Sequence, residues 1–260
     1  MIRINNMNVT SELIRGIESD APINFVKFGD GEINAMSSAS GCNCDGDNYT
    51  ALLKNGLYDS FNYFVKIPNF YIGKWGVESK ISILKTIAED INWAEYHSLI
   101  FIGDNYDHSK SRLLNAIKNS RRKKIVICNR LLEKTKVLFN TTDVIFVNFN
   151  NWFDSDFSKV LCQAIQLIGK EDGDHIIITC AGMGSKVLIA ELHKIYPKNI
   201  YLDYGSALDK LCTKRETRGW KYSYEYLIDL CKDFLPDDWN DPKYDHIYKE
   251  AKECIGLHIN

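Results

Sequence analysis

The feature that most constrains this chain is a recurrence. Short runs rich in Ile, Val, Phe and Tyr, apolar on both faces, alternate with stretches of helical spacing. The runs fall at residues 23–28 (INFVKF), 70–73, 98–103 (SLIFIG), 124–128 (KIVIC), 144–149 (VIFVNF), 175–180 (HIIITC) and 199–204 (NIYLDY). A strand with one wet face alternates apolar and polar residues. A strand buried on both faces does not, and belongs to a parallel sheet covered by helices. The intervening stretches supply those helices. Residues 11–19 bring Leu13, Ile14 and Ile17 to one face behind Thr10 or Ser11 as a cap. Residues 50–65 carry Leu52, Leu53, Leu57, Phe61 and Phe64, and residues 78–91 carry Ile81, Ile83, Leu84 and Ile87. Further helices are expected over 109–119, 130–139, 157–168 and 185–196. The alternation predicts an α/β chain: a Rossmann-like, doubly wound, mostly parallel sheet with flanking helices and right-handed crossovers.

A chain of 260 residues buries roughly three quarters of its unfolded surface, enough for a large core without staples. No repeat, low-complexity stretch or long linker divides it. Residues 1–212 read as the α/β domain. Beyond them the pattern weakens through KRETRGWKYSYEY into the acidic loop DFLPDDWNDPKYD. Residues 213–260, which include Trp220 and Trp239, therefore read as a C-terminal extension packed on the same domain. An apolar share of 45% and a charged share of 25% exclude disordered, collagen-like and coiled-coil classes. The net charge of −2 gives no electrostatic case for nucleic acid.

The cysteines form no compact disulfide framework. Cys128 and Cys180 lie in apolar runs, where cysteine acts as a small hydrophobe. Cys42 and Cys44 make a C-x-C too tight for a usual zinc knuckle, with no second pair at ligand spacing. The first residues hold no signal-peptide core, and no apolar run approaches the ~18 residues of a membrane span. A reduced, cytoplasmic chain without a membrane span is expected.

Chemistry concentrates where strands run into helices. Phe28-Gly29-Asp30-Gly31-Glu32 follows the first strong strand. In an open α/β sheet, ligands bind beyond the carboxyl ends of strands. Two carboxylates with a glycine between them can turn toward one point, and hard oxygen donors there suit Mg²⁺ or Mn²⁺ shared with a diphosphate. Gly29 and Gly31 let backbone approach a phosphate. D-G is equally a plain turn dipeptide. The loop Gly41-Cys42-Asn43-Cys44-Asp45-Gly46-Asp47 offers Asp45 or Asp47 as ligand or base, or is a capped surface loop. It is not an EF-hand, because its closing position is Gly56 rather than glutamate.

Cys180-Ala181-Gly182-Met183-Gly184-Ser185 ends the strand HIIITC and opens a helix. Gly182, Gly184 and Ser185 can turn backbone N–H groups toward an anion, helped by the helix N-terminus. Close helix–strand packing would use the same glycines. The segment is neither a full G-x-G-x-x-G nor a P-loop. Asp203, in LDYGSALD, sits at another strand end. In the basic stretch 214–220, Arg218 can clamp a diphosphate bidentately, or belong to a solvated face. No G-x-S-x-G elbow supports a serine hydrolase.

Taken in order, these segments resemble the GT-D-type glycosyltransferases. The likeness rests on the D-x-E at Asp30 and Glu32, on Asn43-Cys44-Asp45-Gly46 with Tyr49-Thr50, and on Cys128-Asn129-Arg130-Leu131-Leu132. Ala181-Gly182-Met183-Gly184-Ser185 and residues 202–209 complete it, from about residue 23 to about 220. The resemblance implies that residues 1–212 bind a nucleotide sugar. It implies metal-dependent transfer of a sugar from a nucleoside diphosphate sugar, a UDP-sugar favoured, to a glycan or other hydroxyl acceptor. Asp30 and Glu32 would hold or orient Mn²⁺ or Mg²⁺. Gly29, Gly31, Gly182, Gly184, Ser185 and Arg218 would contact the donor. Asp45 and Asp203 are the candidates for the base that takes the acceptor proton. The turn at 182–184 and the segment 205–209 set the chain apart from the founding members of that class. Two other classes remain open: a metal-dependent phosphoester hydrolase, and a non-catalytic nucleotide-sugar binding module.

Overall fold

The computed structural model of the chain describes residues 8–19, 21–38, 40–74, 91–100, 108–169, 173–215 and 223–241. At its centre these residues form a seven-stranded sheet in which every pairing is parallel. In chain order the strands are β1 (Asn24–Phe28), β2 (Phe70–Lys74), β3 (Trp93–Glu95), β4 (Lys123–Cys128), β5 (Val144–Phe146), β6 (His175–Cys180) and β7 (Ile200–Asp203). Across the sheet they lie β3-β2-β1-β7-β6-β4-β5. The chain winds outward from β1 to β3, lays β4 and β5 on the far side, and fills the middle with β6 and β7. The connections leaving the adjacent strands β4 and β6 diverge, one toward β5 and one toward β7. That divergence opens a crevice beyond the strands' carboxyl ends.

Helices cover both faces, as the apolar runs require. They are α1 (Thr10–Glu18), α2 (Asp30–Ser37), α3 (Ala51–Phe64), α4 (Ser109–Asn119), α5 (Thr135–Phe139), α6 (Trp152–Ile168), α7 (Gly184–Ile195), α8 (Asp209–Thr213) and α9 (Tyr224–Cys231). Alternate strand residues serve opposite cores. Val26, Phe28, Ile127 and Ile177 pack with α2, α3, α6 and α7. Phe25, Val126, Ile176 and Ile178 pack with α1, α4, α5, α8 and α9. In α3, Leu53, Leu57, Phe61 and Phe64 turn inward, and Phe61 meets Phe28 edge-on with ring centroids 5.1 Å apart. Leu227, Cys231 and Trp239 of the C-terminal stretch are buried in the second core, with the Lys134 ammonium 4.2 Å from the Trp239 ring.

Some elements differ from expectation, and one expectation falls outside the described residues. The third strand is Trp93–Glu95. Ser98 and Leu99 belong to a 3-10 turn, Tyr96–Leu99, and residues 101–103 of the expected run lie outside the described residues. The helix expected over 78–91 also lies outside them, except for Ile91. Residues 130–139 divide into a 3-10 turn, Arg130–Leu132, and α5, because the Asn129 side chain captures the Leu131 N–H at 2.9 Å and holds a turn there. α6 begins at Trp152 rather than near 157. Its ring stacks on Phe157 at 6.2 Å, so the first turn is anchored by apolar contact. Among the described residues no disulfide joins the cysteines, and no helix is long and apolar enough to cross a membrane.

Thr50 caps α3, its hydroxyl accepting the Leu53 N–H at 3.1 Å. Thr50→Ala should lower stability by about 1 kcal/mol. Urea unfolding should show the midpoint falling with the slope unchanged. An unaltered midpoint would mean that the cap contributes nothing.

Candidate active site

β1 ends and α2 begins with no loop between them. Gly29 is the N-cap residue of α2, so Asp30 and Glu32 stand in the first helical turn rather than on the free turn that D-G suggested. The helix forms there because Glu32 reaches back: its Oε2 accepts the Gly29 N–H at 2.8 Å. This is half of a capping box, and negative charge at a helix N-terminus is favourable. Asp30, two residues before Glu32, is exposed.

The crevice holds a cavity of about 700 Å³. Its floor is the carboxyl edge of β1, β6, β7 and β4. Lys27, Asp30, Gly31, Glu32 and Lys186 line one side, Asn129, Leu131, Val147, Asn148 and Phe149 the other, and Asp209, Thr213 and Arg215 the rim beyond β7. Concave sites of this size, mostly apolar with a few convergent polar groups, are the usual form of a small-molecule site.

Beneath the charged side lies a buried cluster. The Lys186 ammonium, on the first turn of α7, sits 2.6 Å from Glu32 Oε1 and 2.9 Å from Asp203 Oδ2, and donates to the Gly182 carbonyl at 3.3 Å. Its side chain is 2% exposed and that of Asp203 is fully buried. One lysine thus ties together the ends of β1, β6 and β7. Burial opposes the Lys186 charge, yet the two carboxylates raise its pKa above the ordinary lysine value. Burial also pushes Glu32 up, but the Lys186 charge and the Lys186 and Gly29 hydrogen bonds leave it below the usual carboxylate range. Asp203 Oδ2 takes the Lys27 backbone N–H as well, at 3.3 Å. Among the described residues its Oδ1 has no hydrogen-bond partner, nor do the buried hydroxyls of Thr179 and Ser185.

The residues singled out in the sequence part company here. Asp30, Gly31, Glu32, Asp45 and Gly182 line the cavity. Gly182 holds φ +65°, a conformation that favours glycine, and a Cβ on it would press on Asp47 Oδ2 at 3.0 Å. Gly184 instead packs against Trp152, a Cβ there falling 2.7 Å from the indole, and Ser185 is fully buried below the cavity. Gly29 is buried under Tyr96, and Asp203 lies beneath the cavity floor. Arg218 lies outside the described residues; Arg215 is on the rim. The loop around Asp45 is an ordered wall rather than a free surface loop. Asn43 Oδ1 accepts the N–H groups of Asp45 and Asp47, and Asp47 accepts the Asn151 N–H at 2.8 Å. Burial, more than these hydrogen bonds, sets the Asp47 carboxyl above its ordinary value.

A divalent ion needs oxygen donors with unspent charge. Asp30 is one. Glu32 is committed through both oxygens, to Lys186 and to Gly29. Among the described residues no group of three or more His, Cys, Asp or Glu side chains is arranged to hold a metal. The donors fit an ion shared between one protein carboxylate and a ligand's phosphates, the usual Mg²⁺ arrangement, rather than a cage made by protein alone.

Sequence reasoning missed Lys27 and Lys186. Lys27 lies inside a run that reads as buried on both faces, and a charge there requires partners; Lys186 lies in an expected helix that carries no such signal. For Lys27 that was the available signal.

No family model and no curated protein matches this chain. Solved structures do match it. One is a highly conserved domain of unknown function 1792, described as having a distinct glycosyltransferase fold. It is 15% identical, with a TM-score of 0.54, over 93% of this chain and 92% of that one. Another is described as a new glycosyltransferase of the same domain type from Streptococcus sanguinis. It is 15% identical, with a TM-score of 0.57, over 89% of this chain and 95% of that one. At that identity the likeness is one of fold: this chain has the architecture of those domains, and the resemblance drawn from its sequence is met at that level.

Proposed function

We propose that this chain is a glycosyltransferase that moves a sugar from a nucleoside diphosphate sugar, first of all a UDP-sugar, to a hydroxyl acceptor. The observation that carries the reading is the cavity at the point where the β4 and β6 connections diverge, with Asp30, Gly31, Asp45 and Gly182 on its wall. The fold shared with structures described as glycosyltransferases supports it.

In this reading the first turn of α2, facing the turn at Gly182 across the cavity wall, aims backbone N–H groups at the donor's phosphates. Asp30 would hold a Mn²⁺ or Mg²⁺ together with those phosphates. Such an ion, when bound, supplies Lewis acidity that draws charge from the departing diphosphate. Glu32 orients the turn that presents Asp30, through its bonds to Gly29 and Lys186. Asp45, half-buried on the wall, is the base for the acceptor hydroxyl. Asp203, fully buried and bound to Lys186, holds the floor.

The test is a thermal-shift panel of nucleoside diphosphates and their sugars, with and without Mn²⁺. A ligand at a hundredfold excess over its Kd should add about 2.7 kcal/mol. The base that gives the largest shift identifies the donor, and the shift should grow with Mn²⁺. Turnover of simple phosphate esters without any nucleotide-linked shift would favour hydrolysis and remove the transferase reading.

A further inference from the structure

Among the described residues, Lys27 is the buried cation on the cavity wall that the mechanism above leaves without a task. It lies in β1, three residues before Asp30, and is 3% exposed. Its ammonium donates to the Tyr204 carbonyl at 2.8 Å and stands 5.1 Å from the centre of the Tyr96 ring. Among the described residues those are its contacts, and two of its three N–H bonds have no acceptor there. Its neighbour Lys186 differs, with three acceptors around the ammonium. The backbone makes room for Lys27 specifically. Gly205 sits at φ +52°, and a Cβ there would lie 2.6 Å from the Lys27 nitrogen. A buried ammonium with spare donors at the wall of an open cavity is a site waiting for an anion.

From this geometry we infer that Lys27 is the protein's phosphate-contacting cation, donating its two spare N–H bonds to the diphosphate of the donor. The assignment deepens the sugar-transfer reading and, as regards the nucleotide, rests on it. It also gives the cavity a positive group of the protein's own, in addition to any ion held at Asp30.

The surroundings add a pH signature. Burial pulls Lys27 down to about 8, and Lys186 on α7 pushes the same way. Asp203 on β7, Glu32 on α2 and Cys180 on β6 act in the opposite direction. Tyr96 and His97, which follow β3, complete the shell. An anion bound to the ammonium favours its charged form, so binding near pH 8 should draw in a proton.

The test is calorimetric titration of the full chain at pH 8 in two buffers of unequal ionisation heat. The probes are UDP and inorganic sulfate, a base-free anion that does not itself titrate there. The native protein should take up about half a proton per bound anion, because a group with pKa about 8 is half charged at that pH. UDP should bind about tenfold more weakly at pH 9 than at pH 7. Lys27→Met should abolish the uptake, flatten the pH dependence and weaken both anions by about tenfold or more. Anion binding by the native protein without proton uptake overturns the assignment and requires no variant to fold. The two readings separate cleanly. Sulfate bound with uptake, but UDP no tighter than sulfate, keeps Lys27 and removes the nucleotide. Tight UDP binding without uptake does the reverse. Binding of neither anion overturns both.

Discussion

Replacing Lys186 with methionine should destabilise the fold by about 3–5 kcal/mol at neutral pH, the usual effect of breaking a buried ion pair from one side. Methionine matches the length of the stem, so the loss is not one of volume. It comes from leaving Glu32 and Asp203 facing each other with no cation between them, below a surface where water cannot screen them. The pH dependence should identify the cause. In the native protein the Glu32 carboxyl lies below its ordinary value. It therefore contributes stability that is present above its unfolded pKa and lost as pH falls through the folded one. In the variant the sign reverses: the acid pair favours protonation, the penalty is largest at neutral pH, and acid relieves it. Urea midpoints of the two proteins measured between pH 8 and pH 4 should converge as pH falls. A gap that is small at pH 7, or that widens in acid, would show that Lys186 does not hold this cluster.

The same cluster shows what the sequence could and could not disclose. The apolar runs at 124–128 and 175–180 became neighbouring interior strands, because residues apolar on both faces have nowhere to go but the inside of a covered sheet. β3 was misplaced for a related reason. Three residues, Trp93–Glu95, suffice to pair with β2, and so short a run carries no periodicity. α2 was not expected, since Gly29-Asp30-Gly31 reads as turn chemistry. It forms because Glu32 satisfies the orphan N–H of Gly29 and Ile33, Ala35 and Met36 bury themselves against the sheet.

At the site, the carboxyl ends of strands were legible as places, but the roles were not. Spacing puts Asp30 and Glu32 two residues apart, and two residues along a helix point to different sides. One carboxylate therefore faces the cavity while the other turns down to Lys186, a residue 154 positions further along the chain. No local pattern reveals a partner at that distance. A buried charge nevertheless signals that one must exist, and Lys27 inside INFVKF carried that signal.

The division of labour within Asp30-Gly31-Glu32 yields the second large effect. Asp30→Asn should reduce sugar transfer by at least about a hundredfold, the scale of removing one charged contact to a developing negative centre. The fold should survive. Asp30 is exposed at the first position of α2, and its charge there contributes about 0.3–1 kcal/mol through the helix dipole. Glu32→Gln is the contrasting variant. Glu32 is buried, so its substitution should lower stability first and activity through the displaced turn. The sequence alone gave both acids the same expectation, an exposed pair whose loss spares the fold, and burial separates them. The measurement is the Mn²⁺-dependent thermal shift in the presence of UDP, read beside turnover. Asp30→Asn should lose the Mn²⁺ increment and melt in buffer only slightly below the native protein. Glu32→Gln should melt lower in buffer and retain part of the increment. An intact Mn²⁺ increment in Asp30→Asn would move the ion away from Asp30, and would leave the diphosphate to Lys27 and the N-terminus of α2.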